Sequence, residues 1–307
     1  MDIRYKMKYF LCYPVAYDCN LRCHYCFHKE RFESNYTDKR KRITFKQYEA
    51  WRNKFLSDAT EIVVNFHGGE PFLDGNSNIM ASFMRQTEME KPDLLTNGLQ
   101  KPENYDKMDP FLDRMYRIGF TYHRRIIDGV PAYKKKFEEN VLRLQDKGYP
   151  VYVKELMFVD LHEETIKNKR YWKEKGVDFK IQDFKGTIRG KSQEEIPKYG
   201  PLEYLHISEE YRKPGDTCAC LWGYKNVIIR GGWNEGDVIA CFEDPKVVGS
   251  IQEMWYDPGY KIVKNRSEGR IDVQGLKEEV YRGTYERDMF DPDKDQPDEN
   301  NSLLCNQ

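Results

Sequence analysis

The sequence has almost no excess of charge of either sign. Among its 307 residues, 50 are Lys or Arg and 51 are Asp or Glu, which gives a formal net charge of -1. Without a bulk electrostatic field, a protein is not drawn to the phosphates of nucleic acid or to an anionic membrane surface. We therefore expect neither nucleic acid nor a membrane among its partners.

Long apolar runs are also absent from the sequence. No run approaches the ~20 residues that a transmembrane helix needs, and the first residues lack the apolar stretch of a secretory signal. The 8 cysteines could form disulfides, but the chain is not a small secreted scaffold of the kind that depends on them. Their clustering along the chain favours metal binding instead, and we expect a reducing, cytoplasmic location.

Three of these cysteines stand close together near the N-terminus. Cys19, Cys23 and Cys26 have the spacing CxxxCxxC, which puts three soft thiolates on one short loop. Such a set suits a cubic iron–sulfur cluster, and three protein ligands leave one iron open to bind a small molecule. Zinc is the alternative, because structural zinc sites also use close cysteine pairs and His28 could form one with Cys26.

The first 185 residues alternate between strand-like and helix-like patterns. Strands rich in β-branched and aromatic residues are predicted at 9–16, 62–66, 93–95, 119–123, 151–158 and 178–183. Helices are predicted at 44–56, 78–86, 109–116, 133–145 and 163–175. This alternation predicts a parallel sheet with helices outside it, in which ligands bind beyond the carboxyl ends of the strands.

The second and third predicted strands each end in a turn that contains glycine. The two turns are Gly68-Gly69-Glu70-Pro71 and Thr96-Asn97-Gly98. Together with the cysteine loop after the first strand, this order of motifs strongly resembles the radical S-adenosylmethionine (SAM) superfamily. In that superfamily CxxxCxxC follows strand one, GGEP ends strand two, and a Thr-Asn-Gly turn often ends strand three.

The resemblance implies a partial (β/α)6 barrel and two cofactors, SAM and a SAM-cleaving 4Fe-4S cluster. In such enzymes the open iron chelates the amino and carboxylate groups of the methionine part of SAM. An electron, supplied by a flavodoxin- or ferredoxin-type partner, then cleaves SAM to a 5′-deoxyadenosyl radical that abstracts hydrogen from the substrate.

The resemblance also implies which residues bind SAM. They are Tyr25, Gly68, Gly69, Glu70, Pro71, Thr96, Asn97 and His123. Three of them have alternative roles: Glu70 either faces the SAM ammonium or holds its turn, and Asn97 either reaches the ribose or substrate or occupies a left-handed turn position. His123 is either a SAM or substrate contact or a structural histidine.

The composition changes after the predicted barrel. Residues 186–215 are polar and interrupted by Gly and Pro, which is typical of a linker, so we predict domains at 1–185 and 216–307. A β-hairpin is predicted at 225–230 and 237–240. The pattern C-x15-G-x4-C from Cys220 to Cys241 resembles the start of SPASM and twitch domains, small β-hairpin and helix domains that hold an auxiliary iron–sulfur cluster.

Four cysteines are available for one auxiliary 4Fe-4S cluster. They are Cys218, Cys220, Cys241 and Cys305. Cys218 has an alternative role as a hydrogen-atom donor, because some radical SAM epimerases use a thiol close to a cluster. Cys305 follows a charged stretch and is alternatively a free thiol on a loose tail.

Two charged residues, Lys154 and Glu155, interrupt an otherwise apolar predicted strand. Alternation along a strand points one of them into the barrel, where an ionisable group needs a reason. A salt bridge to a neighbouring element is the simplest explanation.

Auxiliary-cluster members of the superfamily mostly modify peptides or proteins. The resemblance therefore favours a radical SAM enzyme that crosslinks, oxidises or epimerises a ribosomally made peptide or protein. A smaller set dehydrogenates or epimerises sugars and aminocyclitols, which gives the alternative of a small-molecule substrate. A non-enzymatic, metal-stabilised binding protein is the third hypothesis.

Overall fold

A computed structural model describes residues 7–16, 18–23, 26, 43–57, 59–157, 161–183, 187–188, 191–192, 226–229, 236–239 and 246–257. The helices are α1 Phe45–Phe55, α2 Asp74–Arg85, α3 Pro102–Asp106, α4 Arg124–Ile127, α5 Pro131–Asp146 and α6 His162–Glu174, with a 3-10 helix at Asp109–Arg114. The first strands are β1 Met7–Ala16, β2 Ala59–Gly68, β3 Glu90–Thr96, β4 Arg117–Tyr122, β5 Val151–Met157 and β6 Asp178–Asp183. Short strands follow: β7 Thr187–Ile188, β8 Lys191–Ser192, β9 Asn226–Ile229, β10 Asp237–Ile239, β11 Val247–Ser250 and β12 Trp255–Tyr256.

Residue contacts divide the chain into two compact units. The first, here called the cysteine-loop unit, contains the described residues of Tyr13–Arg40 and Val63–Gly200. The second, the terminal unit, contains those of Met1–Cys12, Lys41–Ile62 and Pro201–Gln307. Strands β1 and β2 contribute residues to both. The domain limits predicted at 185–186 and 215–216 lie outside the described residues and stay predictions.

The sheet of the cysteine-loop unit follows chain order from β1 to β6. Its strands β3, β4, β5 and β6 pair in parallel with their neighbours. Two neighbouring parallel strands with a helix between them are joined by a crossover connection. The carboxyl ends of these strands, each of which leads into a helix, therefore lie at one edge of the sheet. The predicted parallel sheet with alternating helices is confirmed.

Aromatic side chains fix the helices to one face of this sheet. Tyr13 of β1 packs on Phe83 of α2, with ring centroids 4.8 Å apart. Phe120 of β4 packs on Phe137 of α5 at 5.9 Å, and Phe137 packs on Trp172 of α6 at 5.9 Å. Large aromatic rings bury the most apolar area per side chain and dominate the packing energy of such a layer.

The terminal unit is built from a short meander. In it, β9 pairs with β1 in parallel, while the successive pairs from β9 to β12 are antiparallel. Helix α1 packs against the last strand, where the Trp51 and Tyr256 rings lie 5.2 Å apart and the Trp51 indole N–H donates to the Trp255 carbonyl at 3.2 Å. The predicted hairpin at 225–230 and 237–240 is confirmed as β9 and β10. The predicted helical part of this domain lies outside the described residues.

The structure corrects several element boundaries. Helix α2 begins at Asp74 and not at residue 78, although Asn76 and Ser77 are poor helix formers. Their side chains donate to the Glu70 and Asp74 carbonyls at 2.8 and 3.1 Å, which compensates within the first turn. The predicted helix at 109–116 is a 3-10 helix, and the short helices α3 and α4 were not predicted, because one or two turns show no helical periodicity.

Within the part of the chain that the structure describes, no helix combines the length and the apolar character needed to cross a bilayer.

Candidate metal and cofactor site

The cysteine loop directly follows β1. Cys19, Cys23 and Cys26 are not joined in disulfides, and each is half-buried. The Cys26 N–H donates to the Cys23 carbonyl at 3.0 Å, which closes a tight turn between these two residues. The Leu21 N–H donates to Cys19 Sγ at 3.4 Å. Backbone N–H groups aimed at sulfur stabilise a thiolate, so this part of the loop is suited to a metal-bound sulfur.

In the absence of a cation, burial works against the charged form of the Cys19 thiol. It raises the pKa of Cys19 to about 11, and the Glu70 and Cys26 charges act in the same direction. A bound cation reverses the balance, because it binds the thiolate and releases the proton. Cys19 is therefore a poor free nucleophile and a good metal ligand.

Glu70 joins the turns that follow β2 and β3. Its carboxylate accepts from the Thr96 hydroxyl at 2.7 Å and from the N–H groups of Phe72 and Asn97 at 3.0 and 2.8 Å. Its own N–H donates to the Asp18 carbonyl at 2.8 Å, which ties the turn to the cysteine loop. Burial raises the pKa of Glu70 to about 7 despite these hydrogen bonds. The carboxylate thus holds the two turns together, one of its two sequence-predicted roles.

Asn97 connects the turn after β3 to the cysteine loop. Its amide Nδ2 donates to Asn20 Oδ1 at 2.8 Å and lies 3.8 Å from Cys19 Sγ. Gln100 donates to the same Asn20 oxygen at 2.8 Å. Asn20 and Gln100 are members of the site that sequence reasoning missed. Its amide side chain directly after the first cysteine was the available signal for Asn20, but nothing in the sequence pairs it with Gln100.

His123 follows β4 and lies next to the cysteine loop. Its Nδ1 lies 3.8 Å from Cys23 Sγ. Burial, followed by the positive charge of Lys154, lowers the pKa of His123 to about 4, so the ring is neutral at physiological pH. A neutral imidazole can either donate to a thiolate or accept from a thiol.

A buried amide on α5 holds the turn after β3. Asn140 donates to the carbonyls of Gly98 and Gln100 at 2.8 and 3.0 Å. Gly98 has φ 76°, and a Cβ there would lie 2.5 Å from the Phe137 ring, so the turn requires glycine. Asn140 was also missed, although an amide within the apolar stripe of a predicted helix is a detectable signal.

The other predicted SAM-binding positions lie on the same turns. Gly68 ends β2 with φ 130°, a conformation that favours glycine, and it is followed by the half-buried Gly69 and the buried Pro71. Their predicted contact with SAM stays a prediction. Five predicted site residues lie outside the described residues, namely Tyr25, Cys218, Cys220, Cys241 and Cys305.

The donor set fits a 4Fe-4S cluster. In such a cluster each thiolate binds a different iron, so three cysteines need not converge on one point. Among the described residues, no three His, Cys, Asp or Glu side chains converge on a position for a single metal ion. Three half-buried thiols on one loop, with an N–H donor to Cys19 Sγ, match the demands of the cluster.

Comparisons with known proteins agree with this site. Residues 10–115 match the family described as a 4Fe-4S single cluster domain. No curated protein matches the sequence. A structure of anSMEcpe with bound AdoMet and the Cp18Cys peptide aligns at 15% identity and a TM-score of 0.58, over 88% of this chain and 85% of that chain.

Two further solved structures are similar. Histidine-tagged anSMEcpe with bound AdoMet aligns at 17% identity and a TM-score of 0.58, over 85% of this chain and 79% of that chain. BtrN in complex with AdoMet and 2-DOIA aligns at 16% identity and a TM-score of 0.41, over 85% of this chain and 87% of that chain. The expected fold is confirmed: the chain shares the fold of the anSMEcpe structures, and its residues 10–115 match a 4Fe-4S single cluster domain.

Proposed function

We propose that the chain is a radical SAM enzyme that cleaves S-adenosylmethionine reductively and abstracts hydrogen from a ribosomally made peptide or protein. One observation carries the proposal: the thiols of the cysteine loop lie against the turns that follow β3 and β4. Cys19 Sγ lies 3.8 Å from Asn97 Nδ2, and Cys23 Sγ lies 3.8 Å from His123 Nδ1. These turns follow the carboxyl ends of parallel strands, where sheets of this type bind their ligands.

Some residues of the site would bind the cluster, and others position the turns around it. Cys19, Cys23 and Cys26 would hold three irons of the 4Fe-4S cluster and leave the remaining iron open to SAM. A cluster bound by these thiolates would supply the electron for the reductive cleavage of SAM. Glu70 and Asn97 fix the surrounding turns, so that the loop keeps one geometry and excludes water from the reaction.

A peptide substrate is supported by two considerations. The similar anSMEcpe structure holds the Cp18Cys peptide together with AdoMet. The cysteine pattern from Cys220 to Cys241 resembles auxiliary-cluster domains, which mostly accompany radical SAM enzymes that act on peptides. A flavodoxin- or ferredoxin-type protein is the electron donor that fits this chemistry, and a reducing cytoplasm is the environment that keeps the thiols free.

Formation of 5′-deoxyadenosine tests the enzymatic proposal. The chain is reconstituted anaerobically with iron and sulfide, reduced with dithionite and supplied with SAM, and the product is measured by mass spectrometry. We expect product from the native chain and none from Cys23→Ala, which should also lose iron. Cys12→Ala is the matched control, because Cys12 packs against Ile228 and Ile239 in the terminal unit. A fully iron-loaded native chain that forms no product would contradict the proposal, as would zinc in place of iron.

The substrate class needs a second measurement. A candidate peptide encoded beside the enzyme is incubated with the active protein, and its mass is compared before and after. Loss of two hydrogens indicates oxidation or crosslinking, and uptake of one deuterium from the solvent indicates epimerisation. An unchanged peptide together with a converted sugar or aminocyclitol would replace the peptide proposal by the small-molecule alternative.

A further inference from the structure

Three side-chain amides form one hydrogen-bonded network beside the first cysteine of the loop. Asn97 Nδ2 and Gln100 Nε2 each donate to Asn20 Oδ1 at 2.8 Å. Asn97 Nδ2 also lies 3.8 Å from Cys19 Sγ, within hydrogen-bonding distance of the larger sulfur atom. A side-chain amide nitrogen carries two hydrogens, so Asn97 can donate to the Asn20 oxygen and to the Cys19 sulfur at the same time.

The orientation of the Asn97 amide is fixed by its neighbours. Its Oδ1 accepts from the Leu99 N–H at 3.0 Å. An amide turned the other way would bring two oxygens together at Asn20 and two N–H groups together at Leu99, and both contacts are repulsive. Asn97 and Gln100 are buried, so water competes little for these hydrogen bonds. The N–H groups of Asn97 are therefore held toward Asn20 and Cys19.

The backbone of the turn does not require asparagine at position 97. A left-handed conformation was one of the roles predicted for Asn97, and it is wrong, because Met254 is the only described non-glycine residue with a positive φ. The left-handed position of this turn is the next residue, Gly98, with φ 76°. The contacts of the Asn97 side chain, and not its backbone conformation, thus distinguish this residue.

Two N–H groups reach the sulfur of Cys19. One is the backbone N–H of Leu21 at 3.4 Å, and the other belongs to the Asn97 amide. Reduction of a 4Fe-4S cluster adds one electron, makes its sulfur ligands more negative, and forms or breaks no bond. A hydrogen bond to such a sulfur stabilises the reduced state more than the oxidised state, and it therefore raises the reduction potential.

We propose that Asn97 donates a hydrogen bond to the Cys19 thiolate and thereby raises the reduction potential of the cluster held by the cysteine loop. Asn20 and Gln100 are the positioning residues of this donor. The proposal rests on the proposed function, which provides the cluster and the flavodoxin- or ferredoxin-type protein that delivers the electron. A higher potential makes the transfer of that electron to the cluster more favourable.

An EPR-monitored redox titration of the reconstituted full chain tests the proposal. Samples without SAM are titrated anaerobically with dithionite and redox mediators, and the signal that added SAM changes in a parallel sample is assigned to the cysteine-loop cluster. In Asn97→Leu we expect the ratio of reduced to oxidised cluster at a fixed potential to fall about threefold to tenfold. For a one-electron couple this is a decrease of about 30–60 mV.

Asn104→Leu is the matched control for this titration. Asn104 is also a buried amide of the cysteine-loop unit, but its Nδ2 donates to Asp74 Oδ1 at 2.8 Å. We expect Asn104→Leu to keep the native potential. Asn20→Ala should lower the potential by a smaller factor than Asn97→Leu, because the Asn97 amide loses one acceptor and keeps its contact with Leu99. An unchanged potential in Asn20→Ala would overturn its positioning role.

A second measurement leaves Asn97 in place. The chain is produced with asparagine labelled with ¹⁵N only in the side-chain amide, and pulsed EPR of the reduced cluster is recorded for a ¹⁵N coupling. We expect the coupling in the native chain and in Asn20→Asp, which keeps an oxygen acceptor at position 20 and lacks the amide nitrogen. Loss of the coupling in Asn20→Asp would assign it to Asn20 and contradict the proposal.

Three further outcomes would overturn the proposal. The first is an unchanged potential in Asn97→Leu at full iron content. An equal shift in Asn104→Leu is the second, because it would assign the effect to a general loosening of the fold. The third is the absence of any ¹⁵N coupling, which decides the matter even where Asn97→Leu binds no cluster. A cluster signal that SAM leaves unchanged would contradict the proposed function instead, and the ¹⁵N coupling, which needs no SAM, still tests the hydrogen bond.

Discussion

At the residue scale, Glu70 is a buried ionisable group that holds two turns of the site. Its side chain is almost fully buried, and its carboxylate accepts hydrogen bonds from Thr96, Phe72 and Asn97. The sequence identified this residue from its Gly-Gly-Glu-Pro turn but left two roles open. The structure shows the contacts that hold the turns, which join Glu70 to residues 26 and 27 positions away, while its predicted contact with SAM stays a prediction.

The titration of Glu70 makes the stability of the metal-free protein depend on pH. Burial raises its pKa from 4.5 to about 7, so the folded state holds the proton more tightly than the unfolded state. Its contribution to folding stability is therefore complete below about pH 4.5 and is lost as the pH rises through about 7. We expect the free energy of unfolding of the native chain, measured in urea, to fall over this interval relative to Glu70→Gln.

The variant isolates the contribution of this one carboxyl group, because Gln does not titrate. Glu70→Gln should also cost about 1–3 kcal/mol at neutral pH, since its amide N–H group faces a backbone or hydroxyl donor. A pH dependence identical in both proteins would contradict the assignment of the raised pKa to Glu70.

At the scale of elements, α4, β5 and α6 are joined by one buried ion pair. Arg124 of α4 donates to Glu155 of β5 at 3.1 Å, to Asp128 at 2.7 Å and to the Glu164 carbonyl at 3.0 Å. The sequence predicts a salt bridge from Lys154 or Glu155 to a neighbouring element, and the Arg124–Glu155 pair confirms it for Glu155. The partner was not predicted, because α4 is a helix of only four residues with no periodic pattern.

Removal of Arg124 should destabilise the protein strongly. In Arg124→Met the carboxylate of Glu155 stays buried without its cation, and loss of one partner of a buried pair costs about 3–5 kcal/mol. The double variant Arg124→Met with Glu155→Gln should recover part of this loss, because it removes the uncompensated charge. Urea unfolding of the two variants and the native chain measures both effects. A double variant no more stable than Arg124→Met would show that the charge is not the main cost.

At the scale of the whole molecule, the cysteines predict how many iron–sulfur clusters one chain binds. Cys218, Cys220, Cys241 and Cys305 lie outside the described residues, so their role as ligands of an auxiliary cluster stays a prediction. The cysteine loop by itself accounts for one cluster.

Iron content tests the auxiliary cluster directly. We expect about eight irons per anaerobically reconstituted chain, and about four after Cys220→Ala combined with Cys241→Ala, because a 4Fe-4S cluster needs its thiolates. Cys12→Ala should keep the native iron content. About four irons in the native chain would show that only the cysteine loop binds a cluster. The iron content of Cys218→Ala and of Cys305→Ala, each measured singly, then tests these two residues. A variant that loses iron identifies a cluster ligand. Unchanged iron favours the hydrogen-atom donor for Cys218 and the free thiol for Cys305.

The sequence by itself determined the features that are local in the chain. These features are the cysteine spacing, the glycine turns after β2 and β3, and the alternation of strands and helices. Each depends on residues that are neighbours in the chain, so the sequence alone predicts it. Only the tertiary structure decided which distant groups meet. The contacts of Asn20 with Gln100 and of Asn140 with the turn after β3 depend on loop conformation and helix placement. The position of Lys154 between Thr121 and Lys180 depends on the register of three parallel strands, and register is set by packing across the whole sheet.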